Sequence, residues 1–136
     1  MTTVELLRFM RDHSLAVQAS VSANGEPQAA LVGIVVTDAV EVFFDTDQAT
    51  RKVANLRRDP RIAFVIGWDD QTVQLEGTCD EPSGAERERV KQVYFAQLPD
   101  GRDREAWDGI TWLRVRPTWI RYSDFRGAEP RIVQVL

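Results

Sequence analysis

The sequence is almost without the residues on which most metal centres and nucleophilic sites depend. It has one cysteine, Cys79, and one histidine, His13, among 136 residues. A single cysteine excludes an internal disulfide and a cysteine-rich metal site. A single histidine argues against a histidine-based metal centre or catalytic triad. We therefore predict that the protein binds no metal ion.

Long hydrophobic runs are absent as well. No run approaches the roughly 18 apolar residues of a membrane-spanning helix, and the N-terminus lacks the basic-then-apolar pattern of a signal peptide. The formal net charge of −4 argues against nucleic acid as a partner, because nucleic-acid-binding domains are usually basic. With 43% apolar and 28% charged residues, the chain is predicted to form one cytoplasmic domain spanning residues 1–136.

What the sequence does contain is a series of short apolar segments joined by hairpin-length turns. Residues 15–21 alternate in hydrophobicity, which predicts a half-buried strand with its more apolar, odd-numbered residues facing the core. Residues 28–36 are nearly all apolar and are expected to be buried on both faces. Gly33, within them, indicates either a bulge or a close approach of the backbone to a flat ligand. Further strands are predicted at 40–44, 62–68, 73–79, 110–122 (bent or broken at Pro117) and 132–135.

Three helices are predicted, over about 3–12, 48–58 and 84–97. Thr2 with Glu5, and Ser83 with Glu86, have the spacing of a capping box at the first and third of them. Helices do not separate most of the strands, as a doubly wound parallel sheet would require. The pattern therefore predicts a mainly antiparallel closed sheet with peripheral helices.

The central stretch, residues 43–60, joins a strand end to a helix start. The residue types at 45–47 are good N-caps and predict that the helix begins directly after them. Its first turn carries Arg51 and Lys52, beside the hydroxyls of Thr46 and Thr50. Exposed cations oppose the positive end of a helix by about 0.3–1 kcal/mol each, and a bound anion would reverse that sign. The pattern indicates either a phosphate anchor or two side chains that point into water.

Several of these segments together resemble a known family. The order is Asn24-Gly25-Glu26-Pro27, a buried strand, Thr50-Arg51-Lys52, Asn55-Leu56-Arg57-Arg58-Asp59-Pro60 and then Val73-Gln74-Leu75-Glu76-Gly77. Over about residues 12 to 123 this resembles the pyridoxamine 5′-phosphate oxidase-like family of flavin-binding split barrels. The resemblance implies an antiparallel Greek-key split β-barrel with two or three peripheral helices. It also implies a homodimer that holds FMN at the subunit interface.

The resemblance further implies a set of cofactor-binding residues and an activity. Thr50, Arg51 and Lys52 would bind the FMN phosphate, with Thr46 beside them. The segment Ala30, Leu31, Val32 and Gly33 would lie with its backbone against the isoalloxazine ring, and Thr72 matches a position where the family often has a glutamine that reaches across the dimer. The implied function is an FMN-dependent oxidoreductase with a small-molecule substrate. Two alternatives stay open: a reductase that uses the deazaflavin coenzyme, and a non-catalytic flavin-binding or stress-related protein.

The resemblance stops at the substrate site of the authentic oxidase. Ala30 and Val35 are apolar where the oxidase has basic residues, and Leu98 stands in place of an arginine, although the nearby Tyr94 matches. We therefore predict that pyridoxamine 5′-phosphate is not an efficient substrate. Cations from elsewhere could compensate, and the candidates are Arg102, Arg126 and, favoured among them, Arg121.

Two tryptophans, Trp112 and Trp119, also bear on the predicted site. Core packing or dimer contact is the preferred interpretation of both. The alternative is that they form a wall beside the flavin ring, because aromatic side chains bury a large area in a rigid shape.

Overall fold

The structure is a computed structural model that describes all 136 residues. No helix in it is long and apolar enough to cross a membrane. In chain order its elements are α1 (Thr3–Asp12), β1 (Leu15–Val21), β2 (Pro27–Gly33), β3 (Val35–Val36), β4 (Val42–Asp47), α2 (Arg51–Arg58), β5 (Arg61–Ile66), β6 (Gln71–Asp80), α3 (Gly84–Gln97), α4 (Gly101–Arg104), β7 (Ile110–Asp124) and β8 (Arg131–Gln134).

All eight strands belong to one antiparallel sheet. Seven of them run in the order β2-β1-β5-β6-β7-β4-β3, and β8 pairs with the last part of β7. The 15-residue β7 pairs with β4 through its first part and with β6 through the rest, which curls the sheet. The sheet curls into a half-barrel whose two ends, β2 and β3, are consecutive segments of the chain, and this agrees with the split β-barrel that the resemblance implied. The predicted mainly antiparallel fold with peripheral helices is confirmed.

Two hydrophobic clusters hold the helices against the sheet. The larger cluster, of 22 buried residues, packs α1 and α2 onto one face of the sheet and includes Cys79. The smaller cluster packs α3 against β3, β4 and β7. Trp112 lies in this second cluster, 1% exposed and edge-on to Phe95 at 6.1 Å between ring centroids. The core-packing interpretation of Trp112 is therefore confirmed, whereas Trp119 is only half-buried and belongs to neither cluster.

Strand β1 buries the face that its sequence pattern did not predict. Ala16, Gln18 and Ser20 are at most 2% exposed, while the more apolar, odd-numbered residues are exposed or half-buried. The reason is that α2 lies against the even-numbered side, where its Asn55 donates a hydrogen bond to Ser20. The apolar side of β1 is left uncovered within a single chain.

The segment 28–36 is not a single strand buried on both faces. It divides at Ile34 into β2 and β3, and β2 is an edge strand. Its Ala29, Ala30 and Leu31 are exposed, because nothing in the chain packs beyond the edge. The pairing of β2 with β1 is continuous up to Gly33, so the structure has no bulge there.

The starts of two helices also differ from the expectation. Strand β4 continues to Asp47, because it keeps pairing with β7, and α2 consequently begins at Arg51. At the third helix, Ser83 makes no side-chain cap. Its expected partner Glu86 instead accepts a hydrogen bond from Arg114 at 2.7 Å. A tertiary ion pair has thus replaced the local cap.

Three further features complete the comparison with the sequence pattern. The capping box of α1 is confirmed, with Thr2 and Glu5 bonded in both directions at 2.7 and 3.1 Å. Strand β7 runs through Pro117 without a break, because the register of β6 shifts opposite the proline. The segment after residue 100 forms the short helix α4, which the sequence did not indicate.

Candidate functional site

A cleft of about 360 Å³ lies between the start of α2 and strands β1 and β2; we call it the α2 cleft. It combines the N-terminus of a helix with the exposed edge strand of the sheet. No acidic side chain contributes to its walls. The cleft is lined by Gln18, Ser20, Gln28, Ala29, Ala30, Ala49, Thr50, Arg51 and Lys52.

The N-terminus of α2 has no side-chain cap. Thr50 occupies the N-cap position, but its hydroxyl donates to the carbonyl oxygen of Asp47 at 2.8 Å instead of accepting from the helix. The Asp47 carboxylate accepts from the backbone N–H of Ala49, one turn too early to cap α2. The first turn contains no acidic residue. The helix therefore presents free backbone N–H groups and its positive end to the cleft.

Two cations stand at this helix end without an anionic partner. Arg51 is exposed and Lys52 is partly buried, and neither forms an ion pair. Burial lowers the pKa of Lys52 below its ordinary value, and the charge of Asp47 opposes that shift only in part. An anion in the cleft would favour the charged form of Lys52.

The floor of the cleft is polar, and most of its polar groups are hydrogen-bonded within the protein. Asn55, 5% exposed, donates from Nδ2 to Ser20 Oγ at 3.1 Å and to Gln28 Oε1 at 2.9 Å. These bonds tie α2 to both strands of the cleft. Gln18 is the exception, because its Oε1 is buried without a hydrogen-bond partner. The free N–H groups and the two cations together fit a phosphorylated ligand such as FMN.

The structure brings together four of the residues predicted to bind the cofactor. Ala30, Thr50, Arg51 and Lys52 all line the α2 cleft. The rest of the predicted ring contact follows Ala30 along β2 and lies beyond the cleft wall: Leu31 is exposed, Val32 is buried and Gly33 ends the strand.

Thr46 and Thr72 do not line the cleft. Thr46 pairs with Thr111 inside the sheet, since β4 extends further than predicted. Thr72 lies on β6 opposite Ser123, three strands away from β2 in the sheet order. A role for Thr72 within its own subunit's cleft is therefore not supported by its position.

A second polar site, which we call the Asp45 cluster, joins Asp45, Tyr94 and Arg104. Arg104 Nε donates to Asp45 Oδ2 at 2.8 Å, and the Tyr94 hydroxyl donates to Oδ1 at 3.0 Å. The side chain of Asp45 is 7% exposed. Burial, and then the charge of Asp45, raise the pKa of Tyr94 well above its ordinary value. Sequence reasoning missed this cluster because it treated Asp45 as a cap and found no pattern around Arg104.

The Asp45 cluster adjoins the end of β2. A side chain at Gly33 would meet the Tyr94 hydroxyl at 3.7 Å and Leu98 at 3.8 Å. Val35, close by, is 1% exposed and belongs to the second hydrophobic cluster. Two of the positions that would bear cations in the authentic oxidase, Val35 and Leu98, are thus apolar and packed in or against this cluster, and the cation that meets Tyr94 is Arg104.

None of the three arginines considered as replacements lines the α2 cleft. Arg102 lies over the ring of Phe95 at 4.8 Å, and Arg126 is paired with Asp124 at 2.8 Å. Arg121, the favoured candidate, stacks over Trp119 at 5.5 Å on the opposite face of the sheet, where its Nε is buried without an acceptor.

That opposite face, which we call the outer face, is apolar and uncovered. Pairing across four strands places Leu31, Val17, Val65 and Gln74 in one row, and Arg121 ends it. Leu31 is 57% exposed and Val65 is 41% exposed. The adjacent row contains Trp119, the exposed Glu76 and small alanine side chains of the neighbouring strands.

Comparison with known proteins places these features in a family. The sequence model described as pyridoxamine 5′-phosphate oxidase matches residues 2–124. The pyridoxine/pyridoxamine 5′-phosphate oxidase of Bordetella avium is 33% identical over 91 residues, which cover 65% of this chain and 41% of that protein. The chain therefore belongs to the pyridoxamine 5′-phosphate oxidase family. It spans less than half the length of this curated relative.

Solved structures share the fold over nearly the whole chain. A pyridoxamine 5′-phosphate oxidase-related, FMN-binding protein of Nostoc punctiforme has a TM-score of 0.70 at 12% identity, covering 98% of this chain and 94% of that one. A heme-binding protein of Mycobacterium smegmatis has a TM-score of 0.80 at 15% identity, covering 98% and 58%. At these identities the likeness shows the split-barrel fold, and the two neighbours differ in the ligand that they are named for.

Proposed function

We propose that this protein is a cytoplasmic FMN-dependent oxidoreductase that works as a homodimer on a small-molecule substrate. The observation that carries the proposal is the uncapped start of α2, where Arg51 and Lys52 stand without an anionic partner in a cleft of about 360 Å³. Bound FMN would supply the transfer of hydride and electrons, so the protein's own task is to bind and orient.

The α2 cleft suits the phosphate end of FMN. Backbone N–H groups at a helix start and cationic side chains converge on a phosphate in many proteins. Here Thr50, Arg51 and Lys52 line the cleft beside the free N–H groups of the helix start. A phosphate would remove the repulsion between the helix end and the two cations, which no group of the protein itself removes. Ala30 to Gly33 on the edge strand are the proposed ring contact.

The outer face supports the proposed dimer. Leu31, Val17 and Val65 form an exposed apolar group on the outer face, and a second copy of the same face would cover it. In that arrangement Thr72 of one subunit would reach toward the cofactor of the other. This proposal is compatible with Thr72 standing at the position of the family's cross-dimer glutamine while lying away from its own cleft.

Two other cofactors, a deazaflavin coenzyme and a haem, can be compared with FMN as ligands of this protein. A deazaflavin coenzyme shares the phosphate-bearing side chain with FMN and would use the same anchor. A haem, which the M. smegmatis neighbour is named for, would need an axial ligand, and the single histidine is half-buried with Nδ1 on the Phe9 carbonyl oxygen at 2.7 Å. His13 lies outside the α2 cleft, and this favours the flavin.

The test is a visible absorption spectrum of the purified protein before and after addition of FMN, riboflavin and haem. We expect a flavin spectrum that is perturbed on binding, with the pigment identified by mass. Reduction by NAD(P)H then separates an oxidoreductase from a flavin-binding protein without turnover. A protein that binds haem and leaves the FMN spectrum unchanged would refute the proposal.

The dimer has its own test. Val65→Glu places a charge in the middle of the outer face and should give a monomer by light scattering, because an unpaired charge is costly to bury. Val4→Glu on α1 is the matched control, since Val4 is 65% exposed and away from that face. A wild-type protein that is monomeric at micromolar concentration would refute the dimer but not the cofactor.

A further inference from the structure

Two charged residues of the outer face, Arg121 and Glu76, form no ion pair within the chain. Arg121 is half-buried on β7, and Glu76 is exposed on β6. By contrast Arg61, on the same side of β5 as Val65, is paired with Asp59 at 2.7 Å. The outer face thus carries a positive and a negative charge that are both free, beside its exposed apolar group.

The sheet holds these two charges near each other without joining them. Arg121 lies opposite Gln74 in the strand register, and Glu76 lies opposite Trp119, so the two charged residues are diagonal neighbours. The Arg121 guanidinium is held over the Trp119 ring at 5.5 Å, and its one hydrogen bond goes to Gln74 Oε1 at 3.4 Å. Its Nε is buried without an acceptor, whereas Nη1, also without one, is not enclosed. The end of the guanidinium is therefore available to a partner.

Covering the outer face with a second copy raises the cost of leaving these charges unpaired. Water solvates both of them in a single chain, but an unpaired charge inside an interface is costly. In a two-fold dimer the same face lies on both sides, so each contact between two different residues occurs twice, once in each direction. A face with one free cation and one free carboxylate can therefore pair both charges with a copy of itself.

We propose that Arg121 of each subunit forms an ion pair with Glu76 of the partner subunit, and that these two pairs fix how the outer faces align. The apolar group of Leu31, Val17 and Val65 supplies buried area, but apolar contact has no direction. Charge complementarity is what sets the register and rejects wrong partners. This inference rests on the proposed dimer and deepens it by naming the contacts that make self-recognition specific.

Charge reversal tests the contact. Arg121→Glu would bring carboxylates together at both pairs, and Glu76→Arg would bring guanidinium groups together. We expect each variant to raise the dissociation constant of the dimer at least about a hundredfold, because like charges repel strongly inside an interface. Sedimentation equilibrium with excess FMN measures this constant. Arg8→Glu and Asp12→Arg, at exposed and unpaired sites on α1, make the same reversals and should leave it unchanged.

Mixing the two variants distinguishes a contact between subunits from one within a chain. Neither Arg121→Glu nor Glu76→Arg contains both signs of charge at the two positions. A heterodimer of one copy of each would nevertheless have opposite charges at both pairs. We therefore expect an equimolar mixture to form dimers at a concentration at which each variant alone is monomeric.

Neutral variants test the same pair without repulsion and with less disturbance of the surface. Arg121→Gln and Glu76→Gln each leave one charge without its partner and should weaken the dimer about tenfold. In the double variant both charges are gone. Its loss should therefore be no larger than that of either single variant.

The outcomes separate this inference from the rest of the proposed function. A wild type that is monomeric at micromolar concentration would overturn the proposed dimer and this inference with it, whereas FMN binding is measured separately. A dimeric wild type whose dissociation constant is unchanged by the reversals would overturn the inference alone. So would reversal variants that stay monomeric when mixed, or a double neutral variant in which the two single losses add.

Discussion

The α2 cleft and the Asp45 cluster both contain arginine, but they differ in whether a carboxylate pairs with it. In the Asp45 cluster, Arg104 lies 2.8 Å from a carboxylate that is 7% exposed, and the Tyr94 hydroxyl completes the bonding. In the cleft, Arg51 and Lys52 stand at an uncapped helix end without an ion pair, and the charge of Asp47 acts on Lys52 only in part. The first site is electrostatically complete within the chain, whereas the second becomes complete when an anion binds.

This difference separates a structural role from a binding role. A buried ion pair holds elements together, and in this protein it joins α4 to β4 and α3. The unpaired cations contribute nothing to the stability of the free protein, and their charges and hydrogen-bond donors remain available to a ligand. The two sites should therefore respond in opposite ways to mutation, one in stability and the other in affinity.

The largest expected effect concerns pyridoxamine 5′-phosphate as a substrate. A second phosphate beside the flavin would need free cations, but Arg104 is committed to Asp45 and the neighbouring Val35 and Leu98 are apolar. We expect the FMN-saturated protein to oxidise this vitamer at least a hundredfold less efficiently than the roughly 10⁴ M⁻¹s⁻¹ at the low end of ordinary enzymes. NAD(P)H-dependent reduction, run in parallel, checks that the flavin is competent. An efficiency in the ordinary range would show that a cation has been freed.

The double variant Arg51→Ala/Lys52→Ala should lower FMN affinity at least tenfold, because each charged hydrogen bond contributes about 1.5–3 kcal/mol. The melting temperature of the ligand-free protein should stay the same or rise slightly, since both cations oppose the helix dipole. Fluorescence titration measures the first effect and thermal unfolding the second. Arg8→Ala/Arg131→Ala removes the same charge from exposed residues elsewhere and is the control. Equal losses in the two variants would point to a general charge effect.

Asp45→Asn should lower the stability of the protein and leave its FMN affinity nearly unchanged, the reverse of the effect expected for the cleft variant. Removing the carboxylate leaves Arg104 partly buried without its partner, and we expect a loss of about 2–3 kcal/mol in the free energy of unfolding by urea. FMN affinity, measured where the variant is fully folded, should change less than about threefold. Asp100→Asn is the control, because Asp100 also meets Arg104 but is 68% exposed. Its loss should stay below about 0.5 kcal/mol.

The smallest effect is on the pH dependence of binding. Burial lowers the pKa of Lys52 from the ordinary 10.5, so in the free protein its charge is lost at lower pH than that of an exposed lysine. The charged form binds the phosphate dianion, and FMN affinity should therefore decrease as the pH rises through this lowered pKa. In Lys52→Arg the decrease should move to higher pH, because arginine stays protonated. If both proteins lose affinity over the same range, Lys52 is not the titrating group.

Much of the fold followed from local pattern. Alternating strands, the Asn24-Gly25 turn and the capping box of α1 depend on neighbours in sequence, and the structure has them. The pairing of Arg51 and Lys52 with a helix start was likewise visible, because it needs only the position of that helix. The predicted ends of the elements were less accurate where strand pairing extends a strand beyond its local sequence pattern, as at Asp47 and Pro117.

By itself, the sequence determined the family, the antiparallel fold and the cationic start of α2, since each rests on residues that are close together in the chain. Only the tertiary structure decided which face of β1 is buried, because that depends on where α2 packs. The tertiary structure also brought Arg104 into contact with Asp45. These residues are 59 positions apart in the sequence, and the position of α4 against the sheet determines whether they meet. Finally, the tertiary structure placed Gln18 on the cleft floor without a partner, because hydrogen-bond satisfaction depends on every element that surrounds a side chain.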